Sequence, residues 1–86
     1  MSHITIYTRD GCEPCRKAKA LLSEHGLQYR EVDVLSGPEA RDEFLSRAPG
    51  AKTVPQIVIS DQVIGGYTDL VDLIDTAQFQ QMIGGR

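Results

Sequence analysis

Within its first 34 residues this chain changes hydrophobic period twice, and that limits the fold more than any other feature. Residues 3–8 (HITIYT) alternate and are rich in β-branched side chains. Ile4 and Ile6 share one face and His3, Thr5 and Tyr7 the other, which is the pattern of a strand. From Glu13 to His25 the period becomes helical, with Cys15, Ala18, Leu21 and Leu22 on a common face. Gly26 follows at once and is the expected left-handed stop, because glycine alone takes positive φ without a Cβ penalty. Gln28–Val34 then reads as a second strand ending in Val32 and Val34. A strand, a helix and a strand in such short order form a right-handed β-α-β unit with parallel strands.

The rest of the chain reads as a helix, a hairpin and a last helix. Ser36-Gly37-Pro38-Glu39 has capping-box spacing with Ser36 as the N-cap. Phe44, Leu45 and Ala48 supply that helix's apolar stripe, and Ala48-Pro49-Gly50 ends it. Val54–Ile59 is expected as a strand with Pro55 near its start, where a missing N–H is tolerated. Ser60-Asp61-Gln62 turns it back into Val63-Ile64, and Gly65-Gly66 closes the hairpin. Thr68 is expected to cap a final helix bearing Leu70, Val71, Ile74 and Ala77 and continuing through Phe79, Met82 and Ile83 before Gly84-Gly85. The fold class is α/β: a four-stranded mixed sheet with helices on both faces.

At 86 residues, with no repeat, linker or low-complexity tract, the chain reads as one domain spanning 1–86. Nine basic against twelve acidic side chains argue against a nucleic-acid partner, which needs a basic face. No apolar run approaches the ~20 residues of a membrane helix, and no charged-then-apolar leader opens the chain.

Two cysteines, Cys12 and Cys15, stand between the first strand and the first helix. Such a short loop removes little entropy from the unfolded chain, so a purely structural disulfide there stabilises little. The pair is also half of a zinc motif, but His3 and His25 lack the paired spacing of the other half. Ordinary core packing accounts for Cys15 and not for Cys12 at a turn–helix junction. A helix start carries unpaired N–H groups and partial positive charge, and both favour a thiolate. Cys12 sits where that effect is strongest, with Arg9 as a second positive neighbour, and its thiol is expected below the free value of ~8.5. Cys15, one turn on, points to the apolar face. Cys12 is therefore expected to attack and Cys15 to resolve, a redox reading of C-x-x-C beside a β-α-β pattern.

The segments ITIYTRDGCEPCRKAKALL, TVPQIVI and IGGYTDL resemble the thioredoxin superfamily and, within it, the glutaredoxins, over nearly the whole chain. The resemblance implies a thioredoxin-like fold and reduction of protein disulfides and glutathione mixed disulfides. Glutathione would serve as the reducing cosubstrate, with no bound cofactor and no metal. It implies Cys12 as nucleophile and Cys15 as resolving thiol, the two forming the redox-active disulfide. Arg9 falls where the family usually places a lysine near the glutathione carboxylate. Thr53, Val54 and Pro55 would form a loop with a cis proline, whose backbone could pair with an extended ligand like an added strand. Pro55 beginning a strand in trans is the competing reading. Thr68 and Asp69 would face the γ-glutamyl end, with Asp69 pairing its ammonium, although each residue also suits a plain helix start. Gln56 could reach the glycyl end or simply be an exposed strand residue. The expected partners are glutathione and disulfide-containing or glutathionylated proteins, with the chain monomeric and cytoplasmic.

The match departs from the commonest C-P-Y-C site at both middle positions. Pro14 before the second cysteine is the thioredoxin arrangement and should stiffen the site. Glu13 sets a carboxylate beside the thiolate and should partly offset Arg9 and the helix. Two alternatives stand beside the main reading. One is a carrier of a glutathione-ligated [2Fe–2S] cluster, and the other a redoxin reduced by thioredoxin reductase. Segment 65–69 favours glutathione over the latter.

Overall fold

The computed structural model describes residues 3–84. Its elements are β1 (Ile4–Thr8), α1 (Glu13–Glu24), β2 (Arg30–Asp33), α2 (Pro38–Arg47), β3 (Gln56–Ile59), β4 (Gln62–Gly65), α3 (Tyr67–Ile74) and α4 (Ala77–Gly84). The four strands lie in the order β2-β1-β3-β4. β1 runs parallel to β2 and antiparallel to β3, and β3 pairs antiparallel with β4. This is the mixed sheet that the period changes predict.

All five residues of β1 are buried, because both faces of the central strand are covered. Ile4 and Ile6 join Ala18 and Leu22 of α1, Ile57 and Ile59 of β3, Leu70 and Ile74 of α3 and Phe79 of α4. On the opposite face Tyr7 packs with Val32, Val58, Phe44 of α2 and Ala48 just past its end. The alternation of a single strand thus sorts two cores. Each fully buried Leu, Ile or Phe in them is worth roughly 1.5–3 kcal/mol relative to exposure.

The predicted stop at Gly26 has the full geometry of a helix C-cap. Gly26 takes φ +69°. The Leu27 N–H donates to the Leu22 carbonyl at 3.0 Å and the Gly26 N–H to the Ser23 carbonyl at 2.9 Å. This is the paired pattern of a Schellman ending. Hairpin β3–β4 turns on Ser60 and Asp61, both at positive φ (49° and 70°), which matches the strand twist in a two-residue loop.

Several boundaries differ from the sequence expectation. β2 begins at Arg30 and ends at Asp33, inside the expected Gln28–Val34. Ser36 does not cap α2: its hydroxyl donates to the Asp33 carbonyl at 2.7 Å, and Gly37 is the N-cap. Pro38, with no N–H and a preset φ, takes the first helical position and moves the start past Ser36. Thr68 does not cap α3, whose N-cap is Gly66. The expected last helix is two helices, because Thr76 breaks it. The Thr76 hydroxyl donates to the Leu73 carbonyl (2.6 Å) and accepts the Phe79 N–H (3.1 Å). That break delivers Phe79 into the core at 1% exposure. Val54 and Pro55 precede β3 rather than lying in it. Of the closing Gly84-Gly85, Gly85 lies outside the described residues.

Candidate active site

Cys12 is the N-cap residue of α1, in an extended conformation (φ −97°, ψ 108°), with Glu13 and Pro14 as the first two helical residues. Its sulfur takes the place a serine or aspartate oxygen usually fills at a helix start. The Cys15 N–H donates to Cys12 Sγ at 3.1 Å. The two cysteines form a disulfide, with Cα atoms 5.2 Å apart. Cys12 is half-buried and Cys15 is 2% exposed. The two residues differ in exposure, Cys12 being the more open and Cys15 the covered one.

Two further segments meet at this point. The Val54–Pro55 peptide bond is cis, and the Val54 carbonyl oxygen lies 3.7 Å from Cys12 Sγ. The trans reading of Pro55 is thereby set aside. Gln56 Nε2 donates to the Thr53 carbonyl at 3.1 Å, so this side chain braces the loop it follows. The backbone at Gly66 approaches Pro55 closely enough that an added Cβ would sit 3.6 Å from the Pro55 carbonyl oxygen. The start of α3 therefore abuts the same loop. Thr68 and Asp69 occupy its first turn, both exposed, and Asp69 Oδ2 accepts the Gly66 N–H at 3.0 Å.

Arg9 is exposed and has no hydrogen-bond or ion-pair partner among the described residues. It borders a cavity of about 380 Å³ that reaches Cys12 and Cys15 on the α1–β2 side. Glu13 forms an ion pair with Arg16 at 3.2 Å, both largely exposed, so the carboxylate expected to oppose the thiolate is partly neutralised. On the same cavity's wall, Glu31 accepts hydrogen bonds from the Thr8 hydroxyl (2.8 Å) and from Lys19 Nζ (3.0 Å). Burial works against ionising Glu31, but those two bonds outweigh it and hold the carboxyl below its ordinary range. Sequence reasoning missed this cluster. Lys19 stands one turn beyond Cys15, and only the fold brings it to Glu31. Among the described residues no group of three or more His, Cys, Asp or Glu side chains is arranged to hold a metal ion.

A half-exposed cysteine capping a helix, a buried partner one turn later and a facing cis-proline loop define a dithiol–disulfide redox protein on a thioredoxin-like fold. The comparisons narrow that class. The glutaredoxin family model matches residues 4–64. The chain is 42% identical to glutaredoxin 3 of Escherichia coli K12 over 73 residues, 85% of this chain and 87% of that one. The solution structure of glutaredoxin from Brucella melitensis superposes with a TM-score of 0.75 at 39% identity, covering 100% of this chain and 94% of that one. A buckwheat glutaredoxin–glutathione complex shares the fold, with a TM-score of 0.80 at 20% identity over 96% of this chain and 77% of that one. The chain belongs to the glutaredoxin family, glutathione-dependent thiol–disulfide oxidoreductases.

Proposed function

We propose that residues 1–86 form one catalytic domain that reduces glutathione mixed disulfides and protein disulfides through Cys12. The observation that carries this reading is the Cys15 N–H aimed at Cys12 Sγ at 3.1 Å at the start of α1. That bond and the unpaired amide dipoles stabilise sulfur as an anion, which is the attacking species. Cys12 thiolate attacks the glutathione sulfur of a mixed disulfide, forming a Cys12–glutathione disulfide and releasing the protein thiolate, which takes a proton from water. A second glutathione thiolate then attacks the glutathione sulfur of that adduct, forming oxidised glutathione and restoring Cys12 thiolate. With a protein disulfide, Cys12 forms the mixed disulfide. Cys15, deprotonated, attacks Cys12 Sγ, closes the disulfide and expels the second substrate thiolate.

The surface where Val54–Pro55 meets the start of α3 would take an extended tripeptide. The backbone of Thr53, Val54 and Pro55 would align its cysteinyl unit as an added strand does. Arg9 would pair with the glycyl carboxylate. The amides of Thr68 and Asp69 would take the γ-glutamyl carboxylate, and Asp69 Oδ1 its ammonium. The partners are glutathione and glutathionylated or disulfide-bearing proteins, with no nucleic acid and no membrane. The domain acts as a cytoplasmic monomer. No helix among the described residues is long and apolar enough to cross a membrane.

Turnover in a glutathione-reductase-coupled assay tests the roles. Cys12→Ser should abolish it, whereas Cys15→Ser should still reduce glutathione mixed disulfides but lose protein disulfides. Equal loss in both variants contradicts the assignment. Substituting thioredoxin reductase for glutathione in the same assay tests the reductant, and turnover is expected with glutathione alone.

A further inference from the structure

The reaction forms two thiolates in turn, and the start of α1 serves only one of them. Cys12 Sγ receives the Cys15 N–H at 3.1 Å. Cys15 lies one turn in, 2% exposed, and its own amide is committed to the other sulfur. When Cys15 becomes the thiolate that closes the disulfide, its charge forms in a covered position. Burial disfavours that charge unless a cation answers it.

The cavity of about 380 Å³ that reaches Cys15 holds one cation suited to this. Lys19 stands four residues after Cys15, so the two share a helix face about one turn apart. Side chains on a helix lean toward its N-terminus, a direction that carries the lysine stem back over the Cys15 turn. Its ammonium is held. Nζ donates to Glu31 Oε2 at 3.0 Å, and the same oxygen accepts the hydroxyl of Thr8, itself 2% exposed at the end of β1. With its side chain 29% exposed, Lys19 is the one half-buried residue among the described charged residues lining the cavity. Glu13 and Arg16 are exposed and pair with each other. Arg9, Asp10, Glu31 and Asp33 are exposed as well.

We infer that Lys19 is a positioning residue for the resolving step, its ammonium, held by Glu31, stabilising the Cys15 thiolate through space. The inference rests on the reading of Cys15 as the resolving thiol. In that step Cys15 gives its proton to water in the cavity and attacks Cys12 Sγ of the Cys12–glutathione adduct. The Cys12–Cys15 bond forms, the bond to glutathione breaks, and glutathione leaves as a thiolate that takes a proton from solvent. When glutathione later opens the disulfide at Cys12, the same charge returns to Cys15 as the leaving thiolate. Glu31 partly offsets Lys19, so removing the ammonium withdraws a cation and also leaves a bare carboxylate facing the cavity. Both changes push the Cys15 thiol up.

Two measurements on the full chain test this. In the Cys12→Ser background, where Cys15 is the remaining cysteine, the Cys15 Cβ chemical shift is followed against pH. Lys19→Met should raise the midpoint by about 0.7 pH unit, about a fivefold fall in thiolate below it, the scale of one charge a helical turn away in a half-wet site. Lys19→Arg keeps the charge and should stay within about 0.2 pH unit of the parent. With both cysteines present, protein glutathionylated at Cys12 in acid is jumped to higher pH and the release of glutathione is timed. At pH 7 Lys19→Met should close the disulfide about two- to threefold more slowly, because a less acidic thiol gives a scarcer but more nucleophilic thiolate. That gap should vanish above the variant's own midpoint. An unmoved midpoint in Lys19→Met, an equal shift in Lys19→Arg, or a slowing that is the same at every pH each overturns the inference. If the glutathionylated parent releases no glutathione while Cys15 titrates as expected, the resolving role of Cys15 is what fails.

Discussion

The helices α1 and α3 both begin against the Val54–Pro55 loop and treat their unpaired amides in opposite ways. At α1 the third amide is bonded to Cys12 Sγ and the second position is Pro14, which has no N–H to satisfy. At α3 the cap is a glycine, and the first-turn amides are left open. One helix start turns its dipole on a sulfur that is covalently part of the chain, and the other has no side-chain cap at all. The same helix-end electrostatics thus acts on a sulfur in one place and meets no side-chain cap in the other, depending on a single side chain at the N-cap.

The sharpest way to separate the two ends is Cys12→Ser. Serine caps a helix well, so α1 should keep its stability while turnover falls by at least about 10³-fold, loss of the attacking group leaving only binding effects. Thermal unfolding and the coupled assay together check it, and a parallel drop in Tm would mean that the sulfur's role at this helix is structural.

The second test asks whether acid unfolding reports the Cys12 site at all. Away from it, Arg30 forms two bonds to Glu43 at 2.7 and 2.8 Å, and the Tyr7 hydroxyl donates to the same carboxylate at 2.7 Å. Arg30, and after it Tyr7, hold the Glu43 carboxyl down to about 2 against an ordinary 4.5. Burial, then the Glu43 bond, push the Tyr7 phenol up to about 12. A depressed carboxyl contributes fully above its unfolded value, so this stabilisation is present above pH 4.5 and is lost as pH falls toward 2. With Glu43 25% exposed, about 2 kcal/mol is a fair figure after solvent screening. Glu43→Gln should lower Tm at pH 7, and its gap from the parent should close between pH 5 and pH 2.5. A gap independent of pH would assign acid sensitivity to other carboxylates.

Asp69 gives a smaller effect at the α3 end. Asp69→Ala removes the acceptor of the Gly66 N–H and should cost about 1 kcal/mol in chemical denaturation, whereas Asp69→Asn keeps an acceptor oxygen and should cost less than half of that. The Asn variant should nonetheless raise the KM for the glutathione substrate, because the ammonium loses its counter-charge. Equal stabilities for Ala and Asn would show that the cap bond contributes nothing.

The smallest effect belongs to Glu13 beside Cys12. Its ion pair with Arg16 is exposed, so Glu13→Gln should change stability by no more than about 0.5 kcal/mol. Removing the carboxylate should speed iodoacetamide alkylation of reduced Cys12 about two- to threefold at low salt, and the gain should vanish by about 0.5 M salt. A gain that survives salt would point to a local geometric change.

Much of this architecture is written in short-range signals. Gly26 ends α1 because the backbone there needs positive φ, a property visible in the residue itself. Cys12 and Cys15 fall at the cap and one turn inside because the strand-to-helix period change lies between Thr8 and Glu13. Two helix starts differ from expectation for one reason, the better intrinsic capper giving way to the residue the chain actually uses. Ser36 lost to Gly37 because Pro38 claims the first helical position. Thr68 lost to Gly66 because Asp69, three residues beyond Gly66, reaches back to that N–H. Thr76 was a local signal hidden inside an apolar stripe that looked continuous. Arg9, Val54 and Asp69 were named from the resemblance, while the Lys19–Glu31–Thr8 cluster had no sequence mark, because its members come from three elements.

By itself the sequence determined the order of elements, the faces of β1 and the position of the dithiol at a helix start. Those follow from backbone sterics and from residue periods of two and 3.6, which act within a few residues. Tertiary structure alone decided that the cis Val54–Pro55 loop lies against Cys12 Sγ, 42 residues away, and that α3 opens on a glycine beside it. That juxtaposition depends on sheet order β2-β1-β3-β4 and on where β4 delivers the chain. Only the packed sheet supplies those contacts, and no local preference encodes them.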